Sequence, residues 1–99
     1  PDPRFVRDGA DLWHSVTISL PDAVLGMELS IPTLEARATV KVLPGTQPEA
    51  VLRLRDKGLP RFGGKGRGDL YLRLHLHVPE RLSHQERSLY EQLRSLAKI

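Results

Sequence analysis

Leucine recurs at every second position from Leu70 to Leu76, with Tyr71, Arg73, His75 and His77 between, and Val78 extends the pattern to nine residues. A helix would scatter these leucines around its axis, whereas a strand collects them on one face. The run therefore specifies a half-buried strand, and alternation of this kind marks antiparallel pairing. Upstream, Val51-Leu52-Arg53-Leu54-Arg55 alternates too, with Leu52 and Leu54 on one face and the arginines on the other. Between them lies a loop rich in Gly, Pro and basic residues, from Lys57 to Asp69. The rest of the chain has to complete sheets around this pair.

Taken in order, a short strand at Phe5-Val6-Arg7 meets the turn dipeptide Asp8-Gly9, where glycine supplies a positive φ cheaply. Asp11 to Leu20 alternates again. Leu12, His14, Val16, Ile18 and Leu20 form the core face, with Trp13, Ser15, Thr17 and Ser19 opposite. His14 is expected at the edge of the core, as a packed and satisfied histidine. Pro21 to Gly26 has proline near its start and glycine at its end, the pattern of one or two helical turns. Strands follow at Glu28–Ile31 and Arg37–Leu43, and prolines in the loop 44–48 end their pairing. Pro79 stops the long strand. Ser83-His84-Gln85-Glu86 is then a capping box that opens a helix carrying Leu89, Tyr90, Leu93, Leu96 and Ala97 on one stripe. An isolated helix of about 15 residues is marginal in water, so the stripe must be covered, by its own sheet or by a second copy.

Size and composition narrow the function. A domain of 99 residues buries only about 60–65% of its unfolded surface, so modest stability is expected unless the chain pairs with something. Eight glycines, eight prolines and few aromatics suit a turn-rich β protein. Without cysteine there is no disulfide, thiolate metal site or cysteine nucleophile, which fits a reducing, cytoplasmic setting. No apolar run approaches the roughly 18–20 residues that span a bilayer, so no membrane partner is expected. The chain starts at Pro1, and is read as a piece of a longer protein.

Chemistry-bearing patterns are missing. Gly63, Gly64, Gly66 and Gly68 resemble a phosphate-binding loop only superficially, since Lys65 is followed by glycine and then by a strand. His75 and His77 share a strand face, but no third metal ligand is evident. No spacing suggests a nucleophile elbow or triad. The expectation is a non-enzyme without catalytic residues, cofactor or metal. From Arg53 to Arg67 six Lys/Arg stand against Asp56 alone, a local charge of +5 that could attract nucleic acid, phosphates or acidic peptides. The plainer reading is a solvated strand face and a loop kept soluble by charge, with a mobile tip.

The motifs Phe5 to Leu12, Asp22 to Gly26, Ile31 to Leu34, Pro44 to Pro48, Leu52 to Arg55, Lys57 to Pro60, Arg67 to Leu70 and Val78-Pro79, in this order, cover nearly the whole chain. So arranged, the sequence resembles the second C-terminal β domain of DnaJ-type co-chaperones with its dimerisation helix. Where that family usually turns on Leu-Asp-Gly this chain has Leu34-Glu35-Ala36. Where glycine often precedes Lys-Gly it has Asp56, a residue type that tolerates unusual backbone angles.

The resemblance implies a mainly β fold, a small two-sheet sandwich with one short helix over residues 1–82, and a dimerisation helix over 83–99. It implies a homodimer through Leu89, Tyr90, Leu93, Leu96 and Ala97, binding of unfolded polypeptide clients, and delivery to a DnaK-type chaperone by the full-length protein. The segment that stimulates that chaperone's ATPase would lie upstream. Arg61, Lys65 and Arg67 become candidate contacts for an anionic partner. Two alternatives remain from other classes: a nucleic-acid-binding module using the 53–67 patch, and a purely structural dimerisation spacer. One aromatic in the loop is little for stacking bases, which counts against the first.

Overall fold

A computed structural model describes residues 4–61 and 63–97. Six strands and two helices follow in order: β1 (Val6–Asp8), β2 (Asp11–Ser19), α1 (Leu20–Leu25), β3 (Met27–Pro32), β4 (Arg37–Val42), β5 (Val51–Leu54), β6 (Leu70–His77) and α2 (His84–Leu96). The strands form a four-stranded sheet, β1-β2-β6-β5, and a two-stranded sheet, β3-β4. The chain is mainly β with two sheets, as expected.

The leucine strand β6 is central, and its pairing differs from the expectation. It runs antiparallel to β5 but parallel to β2, with Leu12 opposite Leu70 and Val16 opposite Leu74. Alternation reports which face is buried and says nothing of neighbour direction once both flanks are occupied. Parallel pairing needs a crossover, which α1, β3, β4 and β5 supply.

One face of β6 makes the core. Leu70, Leu72 and Leu74 are fully buried, joined by Leu12 and Ile18 of β2, Ile31 and Val42 of the β3–β4 sheet, and Ala23 of α1. Each leucine removed from water there contributes about 1.5–3 kcal/mol. His14 is half-buried at the margin of this core. Its Nδ1 donates to the Arg4 carbonyl at 2.8 Å and its ring lies 5.5 Å from that of Phe5. It is a satisfied histidine at the core edge.

Helix α2 buries none of its residues. The radius of gyration is 17.2 Å and the long axis 57 Å, against about 13 Å for a compact chain of this length. The excess arises because α2 stands off from the β body. No helix among the described residues is long and apolar enough to cross a membrane.

Candidate functional site

Helix α2 starts where its capping box requires. Ser83 Oγ accepts from the Glu86 amide at 3.1 Å, and Glu86 Oε1 accepts from the Ser83 amide at 2.9 Å. The Ser83 amide, and secondarily its hydroxyl, hold the Glu86 carboxyl below its ordinary value. Arg87 and Glu91 pair at 3.2 Å one turn apart on the outer face. Leu89, Leu93 and Leu96 are 53%, 59% and 73% exposed, and Tyr90 is half-buried. Ala97 lies at the C-cap rather than in the helix, with its amide donating to the Leu93 and Arg94 carbonyls.

Opposite this stripe stands α1, capped by Ser19 Oγ at 3.2 Å from the Asp22 amide and closed by Gly26 at φ 84°. A helix this short can turn only part of itself inward. Ala23 is buried, while Val24 and Leu25 are 56% and 75% exposed. Leu20, Pro21, Val24 and Leu25 on one side and Leu89, Tyr90 and Leu93 on the other line a cleft of about 420 Å³. Sequence reasoning missed the α1 half. The available signal was the pair Val24-Leu25 in a one-turn helix that had only Ala23 to give the core.

The loop between β5 and β6 is tied down at its base. Gly58 donates to the Gly68 carbonyl at 2.9 Å and Gly68 to the Leu59 carbonyl at 2.8 Å, while Leu59 donates to the Ala10 carbonyl at 2.8 Å. Asp69 is buried beside them. One carboxylate oxygen accepts from the Asp56 amide at 3.1 Å and the other pairs with the Arg53 guanidinium at 2.6 Å. The Asp56 amide, followed by Arg53, holds the Asp69 carboxyl below its ordinary 3.8. Asp56 takes φ 62°, the unusual angle its type tolerates.

Of the three candidate cations for an anionic partner, Arg67 is engaged within the fold. It pairs with Glu35 at 2.9 Å and donates to the Gly58 carbonyl at 2.9 Å. Arg61 and Lys65 are exposed. The local charge of +5 is thus partly neutralised, through Arg53–Asp69 and Arg67–Glu35, by acids outside the counted stretch. Phe62 lies outside the described residues. His75 Nδ1 sits 3.0 Å from Glu49 Oε1, His77 is exposed, and no metal-holding cluster of three or more such side chains occurs among the described residues.

Because the folded Asp69 carboxyl titrates below its unfolded value, its contribution to stability is complete above about pH 5 and is lost as pH falls through the unfolded value towards the folded one. The melting temperature should therefore drop as pH falls from 5 through the carboxylate range. Asp69→Asn should melt lower at neutral pH and lose less on acidification. A variant that tracks the native pH slope would place the linkage elsewhere.

Comparison with known proteins adds a family to this geometry. The family described as the DnaJ C terminal domain matches residues 1–79, a span that ends before α2. Similar curated proteins, each named Chaperone protein DnaJ, come from Salinibacter ruber (43% identical over 95 residues, 96% of this chain and 24% of the relative) and Thermotoga maritima (47% over 94 residues, 94% and 25%). A third, from Chlorobium luteolum, is 39% identical over 99 residues, 100% of this chain and 26% of the relative, so the similarity extends through α2. The chain spans about a quarter of the length of these relatives.

Proposed function

Since this chain belongs to the family of DnaJ C-terminal domains, we propose that it is the dimerising, client-holding end of a DnaJ-type co-chaperone that serves a DnaK-type ATP-driven chaperone. The role is non-enzymatic. The β domain falls within residues 1–82, and in the dimerisation segment 83–99 the helix is α2, His84–Leu96. Two copies associate through Leu89, Leu93 and Leu96, with Tyr90 at the wall of the cleft. The dimer then holds two client-binding surfaces at a fixed separation, which raises avidity for an unfolded chain without any new contact.

The observation that carries this reading is the exposed apolar stripe on a fully capped helix. Capping fixes where α2 begins, and Leu89, Leu93 and Leu96 remain more than half exposed, with only Tyr90 half-buried. Leaving such a stripe in water forfeits the burial that ordinarily stabilises a helix of this length. Arg61 and Lys65 stay the candidate contacts for an acidic partner, acting weakly and at long range.

Sedimentation equilibrium tests the dimer, with removal of residues after Leu82 as the decisive variant. The whole chain should sediment at twice its mass, and the shortened chain should be a folded monomer. Protection of a denatured reporter from aggregation should weaken on shortening, as avidity is lost. Identical sedimentation of both forms as dimers would put the interface elsewhere. Dimerisation without any reporter protection would leave the structural spacer.

A further inference from the structure

Helix α2 carries two carboxylates and two guanidinium groups, and they do not all find partners at home. Arg87 and Glu91 are matched within the helix. Glu86 and Arg94 are left, and neither makes an ion pair among the described residues. They lie four residues to either side of Tyr90. Eight residues of helix set them about 12 Å apart along the axis, too far to meet on the same helix. Glu86 is the one charged residue among the described lining of the α1–α2 cleft. One of its oxygens accepts from the Ser83 amide at 2.9 Å, and this contact, by holding the carboxyl below its ordinary value, keeps it ionised at neutral pH. Arg94 borders the apolar stripe, since Tyr90 lines both the cleft and a second depression that Arg94 also lines.

Each charge also serves its own helix end. Glu86 completes the capping box, and Arg94 in the last turn complements the negative end of the helix macrodipole. Glutamine caps as well as glutamate does, so the cap alone does not call for a charge in an apolar cleft. Once a second copy fills the cleft that charge leaves water, which is costly unless a cation meets it. A two-fold interface is isologous: whatever contact a residue makes with the other copy is returned. Two α2 helices crossing antiparallel at Tyr90 set Glu86 of each copy against Arg94 of the other, so that both pairs form at once. A parallel crossing would set glutamate against glutamate and arginine against arginine. Resting on the dimer read above, we propose that reciprocal Glu86–Arg94 pairs fix the two α2 helices antiparallel and select a second copy of this chain to fill the cleft. An apolar helix without a cation at that spacing would bury Glu86 unpaired, and is rejected by it.

Dimer dissociation constants of the whole chain, from sedimentation and dilution, test the pairs, with helix content read alongside by circular dichroism. Glu86→Gln keeps the capping acceptor, and Arg94→Gln keeps a polar side chain of similar reach. Each should weaken the dimer about tenfold or more. The double variant should be no weaker than either single one, because one removal already empties both pairs. Charge reversal gives a sharper readout. Glu86→Lys and Arg94→Glu should each weaken self-association about a hundredfold or more, since like charges then face each other. Mixed in equal amounts, the two should dimerise within about tenfold of native strength, each supplying the charge the other lacks. Should Glu86→Lys lose helix with its cap, the glutamine cycle decides. Additive losses in that cycle, native strength in Arg94→Glu, or a mixture of folded variants that stays monomeric would overturn the pairs and leave the dimer standing. Tighter dimerisation of Arg94→Gln would make the helices parallel and overturn them likewise. A native chain that sediments as a monomer would instead remove the dimer itself, and the pairs with it.

Discussion

Gly68→Ala should cost the domain about 3 kcal/mol or more, read as a large fall in the urea midpoint. The cause is space. A Cβ on Gly68 would run into the carbonyl group of Ala10 and approach Asp11 Oδ1 to 2.8 Å. Both obstacles are fixed. Ala10 accepts the Leu59 amide at 2.8 Å, and Asp11 Oδ1 accepts the Asp69 amide at 2.7 Å. Relief would pull the base of the β5–β6 loop away from the β1–β2 turn and strand the Asp69 carboxylate. Gly58, across the same ladder, is equally confined, its Cβ lying 2.7 Å from the Asp69 carbonyl oxygen. Gly64, four residues before Gly68, supplies the control: its Cβ would meet only the Arg61 Cβ at 3.6 Å. Gly64→Ala should stay within about 0.5 kcal/mol of the native chain. Equal midpoints for the two variants would refute the close-approach account.

Leu25→Asp should raise the dimer dissociation constant about a hundredfold or more, as much as Leu93→Asp, in sedimentation or dilution experiments. This expectation rests on the proposed dimer. If the partner's helix fills the cleft, it touches α1 as well as α2, and a carboxylate in either wall is buried without a counter-charge. The monomer should not notice: Leu25 is 75% exposed and Leu93 59%, so neither contributes much to the core. Melting of the monomeric variants should match that of the chain shortened after Leu82. A Leu25→Asp dimer of native strength beside a monomeric Leu93→Asp would confine the interface to the helices. Native dimers from both would remove the cleft from the interface altogether.

The cations of the loop show how far a linear reading reaches. Arg61, Lys65 and Arg67 look alike along the chain, three bases among glycines. Folding separates them, because the loop turns back at Pro60 and Arg67 and carries Arg67 to Glu35, at the turn between β3 and β4. Two residues so far apart in sequence can be matched only once the two sheets are stacked. The same holds for Arg53, whose partner Asp69 ends the loop that Arg53 nearly begins.

Local rules determined much of this protein from the sequence. Period-two alternation located the strands to within a residue or two, because side chains of a strand point to opposite faces whatever their neighbours do. Ser83 and Glu86 fixed the start of α2, since a capping box satisfies amides within one turn. The order of motifs reached the family. Tertiary structure alone decided the rest. It set β6 parallel to β2, paired Trp13 with Tyr71 beneath Arg73, and faced Val24 and Leu25 across a cleft towards Leu89 and Leu93. Alternation, caps and turns act over a few residues and carry no direction beyond them. Strand order and the meeting of distant surfaces come instead from the shared demand to cover one small leucine core.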